Sequence, residues 1–224
     1  MLRIEVGPTD VASSRFAVSP TFELAQLLRT LFRAAPDSAI ARRFRGFDAV
    51  RGDPGVQAFT WLQGPGTGAS FSAPPPAGMG QTVEDDLAVI RGAHPDVVAA
   101  EVAEIRALRR PGEAVAAVLE GPRLTGRLAD AIALAWRAVL APHWPRVRAV
   151  LERDVRFRAE RLTEAGWSAA LPGMHPTLAW ADGALIVDRA LEATTVLGGR
   201  GLLLVPSAFI GQGLAVYGLS LIHI

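Results

Sequence analysis

Cysteine is absent from this 224-residue sequence. Its absence excludes disulfides, thiolate metal sites and cysteine nucleophiles. It also suits a reducing compartment, so we expect a cytoplasmic protein. Lysine is absent as well, and all 23 basic residues are therefore arginine.

An excess of charge of either sign is also lacking, because 23 basic residues face 22 acidic ones and the net charge is +1. Nucleic-acid-binding domains usually gather positive charge in one segment or on one face. Here arginine alternates with Asp and Glu along most of the chain. The composition therefore gives no indication that these residues bind DNA, while a hydrophobic fraction of 50% is enough for a sizeable core.

A long uninterrupted apolar run is missing too. Residues 201–224 contain no Asp, Glu or Arg, but glycine and proline break the stretch into pieces of a few residues. A membrane-spanning helix needs roughly 20 apolar residues in a row. Two short buried strands explain the stretch better, and we expect no membrane association. Residues 1–6 alternate apolar and charged side chains like a strand and do not resemble a signal peptide.

Most of the chain up to residue 172 has a helical pattern. Ser19-Pro20 is typical of a helix start and Pro36 lies beyond the expected end. Further helices are predicted over residues 83–109, broken at His94-Pro95, then after Pro111 and after Pro122. A long helix is predicted from residue 145 to about residue 164, with an apolar stripe at three- and four-residue steps.

The pattern changes after residue 172. A β-hairpin is predicted over residues 175–187 around Asp182-Gly183, followed by strands at residues 202–206 and 214–217. The predicted fold is α+β, a mostly helical body over residues 1–172 followed by a small antiparallel sheet over residues 173–217. Residues 1–6 are a candidate additional strand of that sheet.

No pattern indicates catalysis or a metal. The glycine-rich strings at residues 64–68 and 198–201 lack the context of phosphate-binding loops, so turns are expected. The histidines at 94, 143 and 175 each adjoin a proline, and no two share a helix at metal-binding spacing. The acids at residues 84–86 are typical of a helix start. We therefore predict a protein that is not an enzyme, with no catalytic, cofactor-binding or metal-binding residues.

Two features allow a binding function. The arginines between residues 146 and 161 could contact phosphates, but four interleaved acids favour a solvated or dimer-facing helix. The five tryptophans, at positions 61, 136, 144, 167 and 180, could be core residues or could line an apolar ligand pocket. The candidate pocket residues are Trp136, Trp144 and Trp180.

Three separated strings lie at residues 1–8 with 15–20, at 140–148 with 151–155, and at 198–209. Together they resemble the ArsR-type winged helix-turn-helix regulators of high-GC bacteria. The resemblance covers roughly residues 1–212. It implies a cytoplasmic, dimeric transcription regulator that binds DNA through a C-terminal winged helix. We expect a homodimer, and an unidentified small-molecule effector is a candidate partner. The resemblance implies no particular catalytic or ligand-binding residue in this region.

The sequence departs from that family pattern in two respects. No winged helix follows Phe209, so we expect a regulatory or dimerisation region truncated before its DNA-binding domain, with no DNA-binding residue of its own. The absence of cysteine excludes metal sensing through thiolates. Residues 218–224 are expected to be a non-native tail, the other interpretation being an apolar C-terminal strand. The alternative function is a stand-alone small-molecule-binding module whose pocket is lined by the tryptophans.

Overall fold

The computed structural model describes residues 1–64, 67–170, 175–188, 192–211, 214–217 and 221–223. The predicted α+β class is confirmed. The helices are α1 (Pro8–Ser13), α2 (Pro20–Arg33), α3 (Ala39–Arg43), α4 (Pro54–Leu62), α5 (Val83–Arg91), α6 (Pro95–Leu108), α7 (Glu113–Leu119), α8 (Leu124–Ala135) and α9 (Trp144–Ala170). The strands are β1 (Leu2–Glu5), β2 (Arg15–Phe16), β3 (Leu178–Ala181), β4 (Ala184–Val187), β5 (Ala193–Val196), β6 (Leu203–Val205), β7 (Ala215–Tyr217) and β8 (Leu221–His223).

The chain divides into two compact units. Unit 1 contains Met1–Val18, Gly78–Gly80 and Val147–Ile224, and unit 2 contains Ser19–Ala77 and Gln81–Arg146. This division differs from the expected boundary near residue 172. The reason is that the N-terminal segment and nearly all of α9 belong to the same unit as the strands.

Unit 1 holds two four-stranded sheets, with strand orders β3-β4-β1-β5 and β2-β6-β8-β7. The expected hairpin is present as β3 and β4, and positive φ angles at Asp182 and Gly183 fit its two-residue turn. The N-terminal strand joins the first sheet as expected, between β4 and β5.

The expectation of an antiparallel sheet is wrong, because both sheets are mixed. Strand β1 pairs antiparallel with β4 but parallel with β5. In the second sheet, β6 pairs parallel with both β2 and β8, whereas β7 and β8 are antiparallel. The parallel pairs of β1 with β5 and of β2 with β6 join residues from opposite ends of the chain. A hydrophobic pattern over neighbouring residues predicts only local hairpins, so it could not show these pairs. The expected non-native tail contributes β8, and its origin stays a prediction.

The core of unit 1 comes from alternate residues of β1 together with residues of both sheets. Leu2 and Ile4 are buried, whereas Arg3 and Glu5 on the opposite face are not. This alternation is the period of two that a half-buried strand requires. The buried cluster comprises Leu2, Ile4, Leu178, Leu185, Val187, Leu197, Leu202 and Leu204.

Asp10 connects α1 to the glycine-rich turn before β6. Its Oδ1 accepts hydrogen bonds from the backbone N–H of Gly199 and Gly201 at 2.7 and 3.2 Å, and its Oδ2 accepts one from Gly7 N at 2.9 Å. Burial alone would raise the pKa of Asp10, but the three N–H donors and the nearby Arg200 charge hold the pKa below its usual value. The expected turn at residues 198–201 is confirmed, and its amides bind an internal carboxylate.

The described elements of unit 2 are all helical, and most residues of α2 are buried. Ser19 Oγ accepts a hydrogen bond from Phe22 N at 3.3 Å and Pro20 occupies the first turn, as the sequence predicts. The first half of α2 is buried all round, whereas its last turn reaches solvent at Arg33. The largest fully buried side chains of the unit are Phe22, Leu24, Leu27, Leu28, Phe59, Leu62, Ile90, Ile105, Leu128, Ile132 and Leu140.

The helix that begins at Leu124 changes geometry before Pro142. It continues from α8 as a π-helical turn, Trp136–Leu140, and then as a 3-10 turn, Ala141–His143. Pro142 has no N–H to donate to Ala138 O, and its ring crowds that carbonyl, so regular α-helix cannot continue through it. The predicted long helix follows as α9, which is interrupted at Gly166, where φ is +71°. None of the described helices is long and apolar enough to cross a membrane.

Candidate functional site

Unit 2 contains an open cleft of about 470 Å³. The last turn of α2 and one face of α4 form two of its walls, and residues 109 and 115 complete it. The lining residues are Arg29, Phe32, Arg33, Gln57, Thr60, Trp61, Gly64, Arg109 and Val115. Small-molecule sites in proteins have volumes of roughly 300–1,000 Å³, and this cleft is within that range.

The wall from α2 carries two arginines and one ring. Arg29, Phe32 and Arg33 follow one another at helical spacing, so the three side chains share a face. Arg29 is half-buried and its Nη1 donates a hydrogen bond to Gln26 Oε1 at 2.8 Å, whereas Arg33 is exposed. This wall therefore places two guanidinium groups one helical turn apart beside an apolar ring.

The wall from α4 is mostly uncharged. Gln57, Thr60 and Trp61 share one face of this helix, and all three are half-buried. The Thr60 hydroxyl donates to Val56 O at 2.8 Å, which leaves its oxygen available as an acceptor. This side offers an indole ring with two polar groups beside it.

Arg109 links the C-terminal end of α4 to the loop that follows it. Its Nη2 donates to the carbonyl oxygens of Trp61 at 2.8 Å and Thr67 at 3.0 Å, and its guanidinium lies 5.3 Å from the Trp61 ring centroid. Carbonyls at a helix C-terminus attract a cation, and a guanidinium over an indole gains a cation–π contact. Arg109 thus fixes the Trp61 wall and brings a third positive charge to the cleft.

The electrostatics of the cleft follow from its composition. Three arginines line it, and none of the described lining residues is Asp or Glu. Its apolar lining comes from Phe32, Trp61 and Val115, and its uncharged polar lining comes from Gln57 and Thr60. The cleft can therefore hold an apolar body and attract a negative charge at the same time.

The three tryptophans predicted to line a pocket are placed differently. Trp136 and Trp144 of unit 2 pack edge to face, with ring centroids 5.1 Å apart. Trp180 of unit 1 is partly buried against that unit's core cluster. None of the three lines the cleft, whereas Trp61, a member of the wider set of five, does. Sequence reasoning also missed Arg29 and Arg33, whose only signal is their helical spacing around Phe32.

The acids at residues 84–86 have separate roles. Asp85 caps α5, where its Oδ2 accepts from Thr82 N and Oγ1, and these bonds lower its pKa. This is the expected helix-start role. Asp86 is instead fully buried and accepts hydrogen bonds from Thr21 N, Thr21 Oγ1 and Gln81 Nε2 at 3.2, 2.9 and 2.7 Å. Burial raises the pKa of Asp86 to about 6 against these bonds. It joins α5 to the start of α2 and does not line the cleft.

The histidines lie at element boundaries. His94 caps α6, His143 packs its ring on Phe44 at 4.6 Å between centroids, and His175 Nδ1 lies 2.7 Å from Thr177 Oγ1. The His223 side chain is outside the described residues. Within the described part of the chain, no three His, Asp or Glu side chains form a group that could hold a metal ion.

The arginine-rich helix α9 has ion pairs along its length. Arg148 Nε lies 2.8 Å from Glu152 Oε1, and Arg158 Nε lies 2.6 Å from Asp154 Oδ2. Arg148 also donates to Met79 O at 2.8 Å within unit 1. These partners support the prediction that α9 is a salt-bridged helix.

The fold and the cleft together define an α+β protein with a small, cationic, partly apolar cleft in its helical unit. Residues 81–217 match the model of a family described as of unknown function, DUF5937, and the chain belongs to that family. The matched range includes Arg109 and Val115 of the cleft but not its α2 and α4 walls. No curated protein and no solved structure matches the chain.

Proposed function

We propose that this chain is the effector-binding regulatory body of a cytoplasmic transcription regulator, and that unit 2 binds the effector in its cleft. DNA would be bound by a separate winged helix-turn-helix domain, and the body would form a homodimer. The chain itself is proposed to have no enzymatic activity. The cleft between Arg29, Trp61 and Arg109 is the observation that carries this proposal.

Two further observations support a regulatory body. Three separated strings of the sequence resemble ArsR-type regulators, and the near-neutral charge suits a region that does not itself contact DNA. The buried side chains of Thr21, Gln81 and Asp86 in unit 2 are hydrogen-bonded to one another and do not line the cleft. The cleft therefore offers groups for recognition, while the described residues lining it include no carboxylate or histidine that could act as a base.

Binding in the cleft is tested with two matched threonine variants. Thr60 and Thr30 are both half-buried on helices, and each hydroxyl donates to the carbonyl four residues earlier, but only Thr60 lines the cleft. We expect thermal-shift screening of the 224-residue chain against a metabolite panel to yield ligands that Thr60→Phe abolishes and Thr30→Phe retains. A panel without any stabilising compound, or ligands that survive Thr60→Phe, would refute the proposal.

The alternative function is a stand-alone small-molecule-binding module, which shares the same cleft. The two are separated by sequencing the gene downstream of the 224-residue chain and, where a winged helix follows, by measuring operator binding of the full protein. A regulator changes its DNA affinity when the ligand is added, and Thr60→Phe removes that response. A stand-alone module has no such domain and no such response.

A further inference from the structure

We infer that the ligand of the unit 2 cleft is an organic anion, a carboxylate attached to a flat apolar body. This inference rests on the proposed function and names its ligand class. It follows from the positions of the charged and the apolar groups that line the cleft.

The anionic end is assigned to the α2 wall. Arg29 and Arg33 stand one helical turn apart on a single face and both line the cleft. A guanidinium presents paired N–H donors in a fork that matches the two oxygens of a carboxylate. Arg33 is exposed at the rim and Arg29 is half-buried, so a carboxylate entering from solvent meets Arg33 first.

Arg109 contributes charge rather than direct contact. Its Nη2 already donates to carbonyl oxygens of residues 61 and 67. A methyl group on Gly64 would lie 2.7 Å from Arg109 Cζ, so the guanidinium is held close against the backbone. Arg109 is therefore a positioning residue, and its charge still favours an anion in the cleft.

The apolar end is assigned to Phe32, Trp61 and Val115. Two of these are rings, and a planar body can stack on an indole or meet a phenyl edge. An inorganic anion would leave this wall uncovered, whereas a neutral planar compound would leave the arginines without a partner from the ligand. A carboxylate with an aromatic body satisfies both parts of the cleft.

The inference is tested by isothermal titration calorimetry of the 224-residue chain with 1-naphthoate, its uncharged amide 1-naphthamide, and inorganic phosphate. We expect 1-naphthoate to bind, and 1-naphthamide to bind roughly tenfold more weakly, since the neutral amide cannot form the ion pair that the carboxylate makes with a guanidinium. Phosphate is expected not to compete with 1-naphthoate at equal concentration. Raised salt should weaken binding of the carboxylate but not of the amide.

Two arginine variants locate the charge. Arg33→Gln is expected to weaken 1-naphthoate binding roughly tenfold and to leave 1-naphthamide binding unchanged. Arg137→Gln removes an exposed arginine of the same unit outside the cleft and is expected to leave both affinities unchanged. An equal loss in the two variants would mean that only the overall charge matters, which overturns the assignment to α2.

The remaining outcomes separate this inference from the proposed function. Equal affinity for 1-naphthoate and 1-naphthamide, with both lost in Thr60→Phe, would overturn the anion assignment and keep the cleft as a ligand site. If the metabolite panel and both naphthalene compounds fail to bind, both proposals are wrong. If inorganic phosphate displaced 1-naphthoate at equal concentration, the inference would also be overturned, because the apolar wall would then have no role in binding.

Discussion

Asp86 is a buried carboxylate bound by three uncharged donors, and this arrangement makes stability depend on pH. Its pKa is about 6 in the folded protein, against an ordinary value of 3.8. The folded state therefore keeps the proton to higher pH than the unfolded chain does. We expect the free energy of unfolding to fall as pH rises from about 4 to about 6, by at most roughly 3 kcal/mol from this group.

The variant Asp86→Asn removes that titration. Chemical denaturation at several pH values should show a smaller fall between about pH 4 and 6 than in the parent chain. Asp85→Asn is the control and should keep most of the fall, because burial is the main cause of the raised Asp86 pKa and the Asp85 charge is the smallest. The lowered pKa of Asp85 also places its own contribution at more acidic pH. A parent-like fall in the Asp86→Asn chain would contradict this assignment.

Gly201 lies in the turn before β6, where the backbone leaves no room for even a methyl side chain. Its φ is +72°, and a methyl group there would lie 2.5 Å from the Ser13 carbonyl carbon, whereas Gly198 has a φ of +64° with open space around it. Gly198→Ala should cost about 1 kcal/mol from the left-handed backbone alone. Gly201→Ala should cost about 3 kcal/mol or more because overlap is added. Equal midpoints of urea unfolding for the two variants would contradict the close approach.

The backbone of the 3-10 helix Arg45–Ala49 packs directly against the backbone of the π-helical turn Trp136–Leu140. A methyl group on Gly46 would overlap the Ala138 carbonyl oxygen, the atom to which Pro142 cannot donate. We expect Gly46→Ala to destabilise the protein by about 3 kcal/mol in chemical denaturation. Gly126→Ala, on α8 with open space around it, should instead stabilise by about 0.5 kcal/mol. A neutral Gly46→Ala would show that the two elements separate easily.

Elements with a local cause were predictable from the sequence. The α2 start at Ser19-Pro20, the break at His94-Pro95 and the hairpin around Asp182-Gly183 each depend on a few adjacent residues, and each is confirmed. The parallel pairing of β1 with β5 was not predictable, because it joins residues 191 positions apart. The turn at residues 198–201 was predicted, but not that Asp10 would bind its amides.

The cleft was the least predictable feature for the same reason. Its walls come from α2, α4 and residues 109 and 115, and no pattern along one helix shows that these faces meet. The sequence left open whether the five tryptophans are core residues or line a pocket, and the role of each ring depended on packing. Trp136 and Trp144 pack on each other, whereas Trp61 faces the cleft beside Arg109.

At the scale of the whole molecule, charge is distributed rather than concentrated. The net charge is +1, and described arginines pair with acids in both units, as in Arg91–Asp130, Arg106–Glu120 and Arg158–Asp154. The cationic cleft is too small to follow a duplex backbone, whose phosphates are bound by many cations at once. The charge of the cleft is therefore suited to a small anion and not to nucleic acid.

DNA binding by the 224-residue chain gives a direct test of that distinction. A protein that neutralises several phosphates releases counterions, so its affinity falls steeply between about 50 and 200 mM salt. We expect fluorescence anisotropy with a labelled duplex to show no saturable binding at about 50 mM salt and hence no salt-dependent loss. Tight binding that weakens with salt would mean that paired arginines such as Arg158 exchange their acidic partners for phosphates. In that case α9 would be a DNA-contacting surface, and the role of regulatory body would have to be given up.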